Sequence, residues 1–189
     1  MSASLSRKPK IARKVGYRRI AVASLASTVA IMGVGVSPAN ADYTSLGMPT
    51  ASFWMSTTGL STAWVGYVDT ARGAWNTSTG SYIKRNSTAA SFLTAKDMPE
   101  WDWYGLYTAY GTRSTRTFKI QVNTYYLKQD AGPRLYEWIM STTTHELGHS
   151  LSLADDPVTT QSSLMKHARN RSTVYKPTAY DIQDVARWY

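Results

Sequence analysis

His145, Glu146 and His149 stand in the order His-Glu-Leu-Gly-His, a spacing in which two imidazoles and a carboxylate can meet one metal ion. Positions four apart lie nearly above one another on a helix, so both histidines can offer a nitrogen to the same Zn²⁺. Glu146 flanks such an ion instead of binding it. There it can act as general base toward a metal-bound water, whose pKa zinc lowers from about 15.7 to about 7. Hydrolysis of a peptide bond is the chemistry these three residues could do. The chain holds only three histidines and two of them fall in this pattern, which weighs against two unrelated surface histidines.

A helix must present the motif. Asp130-Ala131-Gly132-Pro133 marks its start, with Pro133 tolerated in the first turn. Leu135, Trp138, Ile139 and Thr142 share one face, and the helix is predicted to run to about Leu151. A second helix is predicted from Ser61 or Thr62, where Trp64, Val68, Ala71 and Trp75 form a core-facing stripe; Asn76 to Gly80 ends it. Thr117 to Tyr126 reads as a strand with Phe118, Ile120 and Val122 buried and Lys119, Gln121 and Asn123 wet. Shorter strands are predicted near Phe53 and across residues 81–127. The loop Met98 to Tyr104 either lines a cleft or covers a sheet edge. Thr178 caps a last helix to which Asp181 reaches back, with Ile182, Val185 and Tyr189 as its stripe.

The formal charge of +9 is concentrated at the start of the chain, where Arg7, Lys8, Lys10, Arg13, Lys14, Arg18 and Arg19 precede an apolar run from Ile20 to Val36. Ala39-Asn40-Ala41 follows with small residues at both positions of a cleavage site, completing the build of a secretory signal peptide. At 17 residues the run is short of the span of about 20 that a membrane anchor needs. Arg18-Arg19 leaves twin-arginine export open beside the general route. Removing residues 1–41 takes 7 of the 21 basic residues and none of the 12 acidic ones, leaving 14 against 12. A nucleic-acid partner is therefore excluded on charge. Residues 42–189 are predicted to be one domain, and since the chain has no cysteine its stability rests on packing and bound metal.

A catalytic zinc takes three protein ligands and keeps one position for water. The donors downstream of the motif are Asp155, Asp156, His167, Asp181 and Asp184, and no glutamate follows Glu146. The pattern His145-Glu146-x-x-His149-x-x-Ser152-x-x-Asp155 resembles that of the metzincin zinc peptidases, in the aspartate variant of the snapalysin type. Ser163-Leu164-Met165 is similar to the methionine turn of matrixins, and Pro177 to Val185 to the start of their last helix. The resemblance covers roughly residues 117–189. It implies Asp155 as third metal ligand, with Asp156 as the nearest substitute. Two departures stand out. Ser152 occupies the place of a glycine at the turn out of the helix, and a non-glycine residue at φ > 0 costs about 1 kcal/mol. His167 lies two residues after Met165, where astacin-type and serralysin-type members hold a tyrosine.

These features lead to the expectation of an α+β domain with a twisted mixed sheet, a long active-site helix and a C-terminal helix. The expected activity is that of a secreted zinc metalloendopeptidase with Glu146 as catalytic base and His145, His149 and Asp155 as metal ligands. One Zn²⁺ is expected; Ca²⁺ is compatible with carbonyl and aspartate donors, but no pattern marks a site. The expected partner is a protein or peptide substrate, met by a monomer without stable membrane association. The alternative is a secreted zinc-containing binding module without protease activity.

Overall fold

A computed structural model describes residues 42–189; the signal peptide expected at 1–41 lies outside the described residues. The fold is α+β. Its elements in order are β1 (Ser52–Met55), α1 (Thr62–Thr79), β2 (Tyr82–Arg85), β3 (Phe92–Lys96), β4 (Gly105–Tyr110), β5 (Thr117–Asn123), α2 (Thr124–Asp130), α3 (Leu135–Ser150) and α4 (Ala179–Trp188). Among these residues no helix is long and apolar enough to cross a membrane.

The strands form two sheets where one was expected. β1 pairs parallel with β2, while β5 sits between parallel β3 and antiparallel β4. A bridge from Ser56 to Phe92 joins them at the end of β1. Alternation along β5 buries Phe118, Ile120 and Val122. Asn123 departs from the expected pattern and is buried. Its carboxamide accepts from the backbone of Met98 at 3.1 Å and of Tyr125 at 3.2 Å, and donates to Met98 O at 2.8 Å and Trp101 O at 3.1 Å. It thereby ends the strand, caps α2 and holds the 98–104 loop, which buries Met98 and Trp103.

The helix expected to begin near Asp130 is α-helical only from Leu135. α2 stops at Asp130, Gly132 takes φ 53°, and one 3₁₀ turn containing Pro133 precedes α3. From Ile139 to Ser150 α3 is buried apart from half-buried His149, as suits a central helix. α1 packs on it through Trp75, whose indole N–H donates to Thr144 O at 2.8 Å. Gly148 lets the elements approach closely at this crossing, because a Cβ there would lie 2.6 Å from Met165 Sδ and 3.1 Å from Trp75 Cζ2 and those side chains would have to shift.

Candidate metal centre

His145 and His149 come from the last turns of α3. His145 Nδ1 is 2.9 Å from Leu164 O and His149 Nδ1 is 2.9 Å from Leu153 O. A carbonyl can only accept, so each Nδ1 carries a proton, and in the neutral ring Nε2 is left with the lone pair.

The chain leaves α3 by a Schellman turn. Leu153 N–H donates to Gly148 O at 3.1 Å and Ser152 N–H to His149 O at 3.0 Å. Ser152 takes φ 67°, the left-handed conformation that glycine adopts freely. The N-terminal segment holds this turn: Thr44 N–H donates to Ser152 O at 2.8 Å, Met48 N–H to Ser150 O at 2.9 Å, and Tyr43 bridges Leu153. Gly47 lies so close that a Cβ would come within 2.4 Å of Ser152 N.

The turn delivers Asp155. Its Oδ1 lies 3.0 Å from His145 Nε2, 3.4 Å from His149 Nε2 and 3.0 Å from His167 Nε2. Asp156 points elsewhere, with Oδ2 2.9 Å from His167 Nδ1 and Oδ1 accepting from His167 N–H at 2.7 Å. Asp181 and Asp184 also lie apart from this cluster. Asp181 accepts from Ser163 Oγ at 2.6 Å, Leu164 N at 2.9 Å and Thr178 N at 2.8 Å, tying the methionine turn to the capping box of α4. Asp184 pairs with Arg187 at 3.0 Å.

His145 Nε2, Asp155 Oδ1 and His167 Nε2 are shielded from solvent, yet among the described residues none has an aligned hydrogen bond. Lone pairs facing one another at 3.0 Å need a cation between them: a proton or a metal ion. With bonds of about 2.05 Å, the donors of a tetrahedral zinc stand roughly 3.3 Å apart, close to the separations of the three Nε2 atoms from Asp155 Oδ1. Nitrogen and carboxylate donors suit zinc by type as well. His145, Asp155 and His167 form the tightest group, all donor atoms within 4.8 Å of one another, and His149 joins through the same oxygen.

Without metal, the protons distribute unevenly. Burial, with help from the Arg169 guanidinium, pushes His145 down to about 3. Burial also works against His149, but Asp155 overcomes it and raises that imidazole to about 9. For Asp155 the histidines outweigh burial and hold the carboxyl far below its ordinary range. Glu146 is 2% exposed, and burial raises it to about 7. It faces a cleft of about 170 Å³ lined also by Leu46, Leu106, Tyr107, His149 and Asp155. The expected loop 98–104 does not line it. Gly105 makes room for the carboxylate, since a Cβ there would meet Glu146 Oε1 at 2.3 Å. A carboxylate in this place can exchange protons with a ligand or hold a donor group against the ion.

No family model and no curated protein matches the chain. Among solved structures it is similar to one described as the GM1 bound form of the ECX AB5 holotoxin, with 11% identity, a TM-score of 0.52, and 72% of this chain and 79% of that chain covered. At this identity the likeness is one of fold. The neighbour's description, a GM1-bound toxin, runs against the functional expectation of a peptidase. The expectation of an enzyme, a zinc metalloendopeptidase of the hydrolase class, is not sustained. Three imidazoles, where two were expected, converge on Asp155.

Proposed function

We propose that the protein is a secreted zinc-containing binding module with a metzincin-like ion site, which takes a segment of polypeptide in the cleft beside the ion. The observation that carries this is the convergence of imidazole Nε2 atoms on Asp155 Oδ1, at 3.0 to 3.4 Å. His145, His149 and Asp155 would hold the ion, which when bound supplies a fixed positive charge at the cleft wall. The cleft, at about 170 Å³, is smaller than the roughly 300–1,000 Å³ of small-molecule sites. It suits one side chain of a longer partner. Leu46, Leu106 and Tyr107 give it apolar walls, and Glu146 offers an acceptor to a backbone N–H of the bound segment.

The test is zinc analysis of the exported protein, together with binding to an immobilised peptide library and to GM1-containing vesicles. Support would be about one zinc per chain, retention of peptides with an apolar side chain, and unchanged peptide masses. Absence of zinc, or binding to GM1 vesicles without peptide binding, overturns the proposal. So do new peptide termini that disappear in Glu146→Gln, which would return the site to hydrolysis.

A further inference from the structure

Each of the three histidines is anchored in the same way. Nδ1 of His145 faces Leu164 O at 2.9 Å, Nδ1 of His149 faces Leu153 O at 2.9 Å, and Nδ1 of His167 faces Asp156 Oδ2 at 2.9 Å. An Nδ1–H donor to an oxygen fixes the tautomer and leaves Nε2 as a ligand atom, the usual outer support of a metal-bound imidazole. His167 has the further bond from its own N–H to Asp156 Oδ1, at 2.7 Å. Both ends of the residue are therefore held by one carboxylate. Asp156 is itself fixed, at φ 47° with its N–H donating to Met165 O at 3.0 Å. Nothing else among the described residues takes up His167 Nε2, which is shielded from solvent and 3.0 Å from Asp155 Oδ1.

We infer that His167 is a fourth protein ligand, enclosing the ion between His145, His149, Asp155 and His167. This rests on the zinc reading above and sharpens it. Four protein donors make a closed site of the structural class, with no position for water. The ion then staples the end of α3 to the turn that follows Met165, and a partner meets the cleft wall and Glu146 without touching the metal.

The sequence makes the test simple, because the whole chain holds three histidines. In the wild-type protein labelled with ¹⁵N-histidine, one equivalent of zinc is expected to move three Nε2 resonances to metal-bound positions. If two move and the third still titrates, the inference is overturned and the zinc reading stands. If none moves and no zinc is retained, both fall. A second measurement uses cobalt in place of zinc: the visible spectrum of the wild type should be indifferent to azide. That of His167→Ala should respond to azide and be restored toward the wild type by free imidazole. A wild-type spectrum that shifts with azide overturns the closed site.

Discussion

The Ser152 hydroxyl lies 3.1 Å from the phenol oxygen of Tyr189, which donates in turn to Met48 O at 2.8 Å. Tyr189 thus closes over the turn that delivers Asp155, and the segment from Tyr43 to Met48 closes it from the other side. This accounts for a non-glycine residue at positive φ: a cost of about 1 kcal/mol is offset by hydrogen bonds of about that size each.

Gly47→Ala tests the clamp. Its Cβ would fall 2.2 Å from Ser152 Oγ and 2.4 Å from Ser152 N, so backbone must move. A stability loss of about 1–3 kcal/mol is expected in thermal melts, and competition with a chelator should show weaker zinc binding. Unchanged zinc affinity would mean that the turn does not depend on this contact.

Asp156→Asn should keep the left-handed conformation, which asparagine tolerates, while removing the charge behind His167. Loss of such an outer partner typically weakens metal binding about 10-fold or more. The same chelator competition reads it, with little change expected in the melting temperature of the metal-free protein.

Acidity should act on the metal-free site through His149. Its pKa is raised to about 9, against about 6.5 in the unfolded chain. The pairing of its imidazolium with Asp155 therefore stabilises the metal-free fold fully below about pH 6.5, and is lost as pH rises through about 9. Zinc requires the neutral ring, so binding at pH 7 should release a proton, and apparent affinity should climb with pH until about 9. Calorimetry in buffers of different ionisation enthalpy measures that proton.

Asp181→Ala should unfasten the methionine turn from α4. The carboxylate is 1% exposed and accepts from Ser163, Leu164 and Thr178. Leaving those donors buried without a partner is expected to cost about 3 kcal/mol, or roughly 6–12 °C in melting temperature for a chain of this size.

Much of this site is legible in the sequence wherever a local rule governs. The four-residue spacing of His145 and His149 needs only helical pitch. The stripe Trp64, Val68, Ala71, Trp75 and the alternation of Phe118, Ile120 and Val122 mark buried faces that the structure contains. The Thr178–Asp181 capping box is local as well. The turn at Ser152 could be located from its offset. What sustains it could not, since Gly47, Met48 and Tyr189 lie far away in sequence. The same holds for Asn123, which sits in the alternating pattern of a wet face but is buried by a loop about 25 residues upstream. His167 was visible only as an offset from Met165. Its link to Asp156 required the fold, because the chain from Asp156 to His167 runs through turns and bends with no helix or strand to set their separation.

The clamp at Ser152 also bears on when the site can exist. Tyr189 and Met48 are 141 positions apart, and contacts of such separation form late because the intervening chain must first be ordered. The clamp therefore couples three segments distant in sequence, around Met48, Ser152 and Tyr189, and its assembly waits for all three.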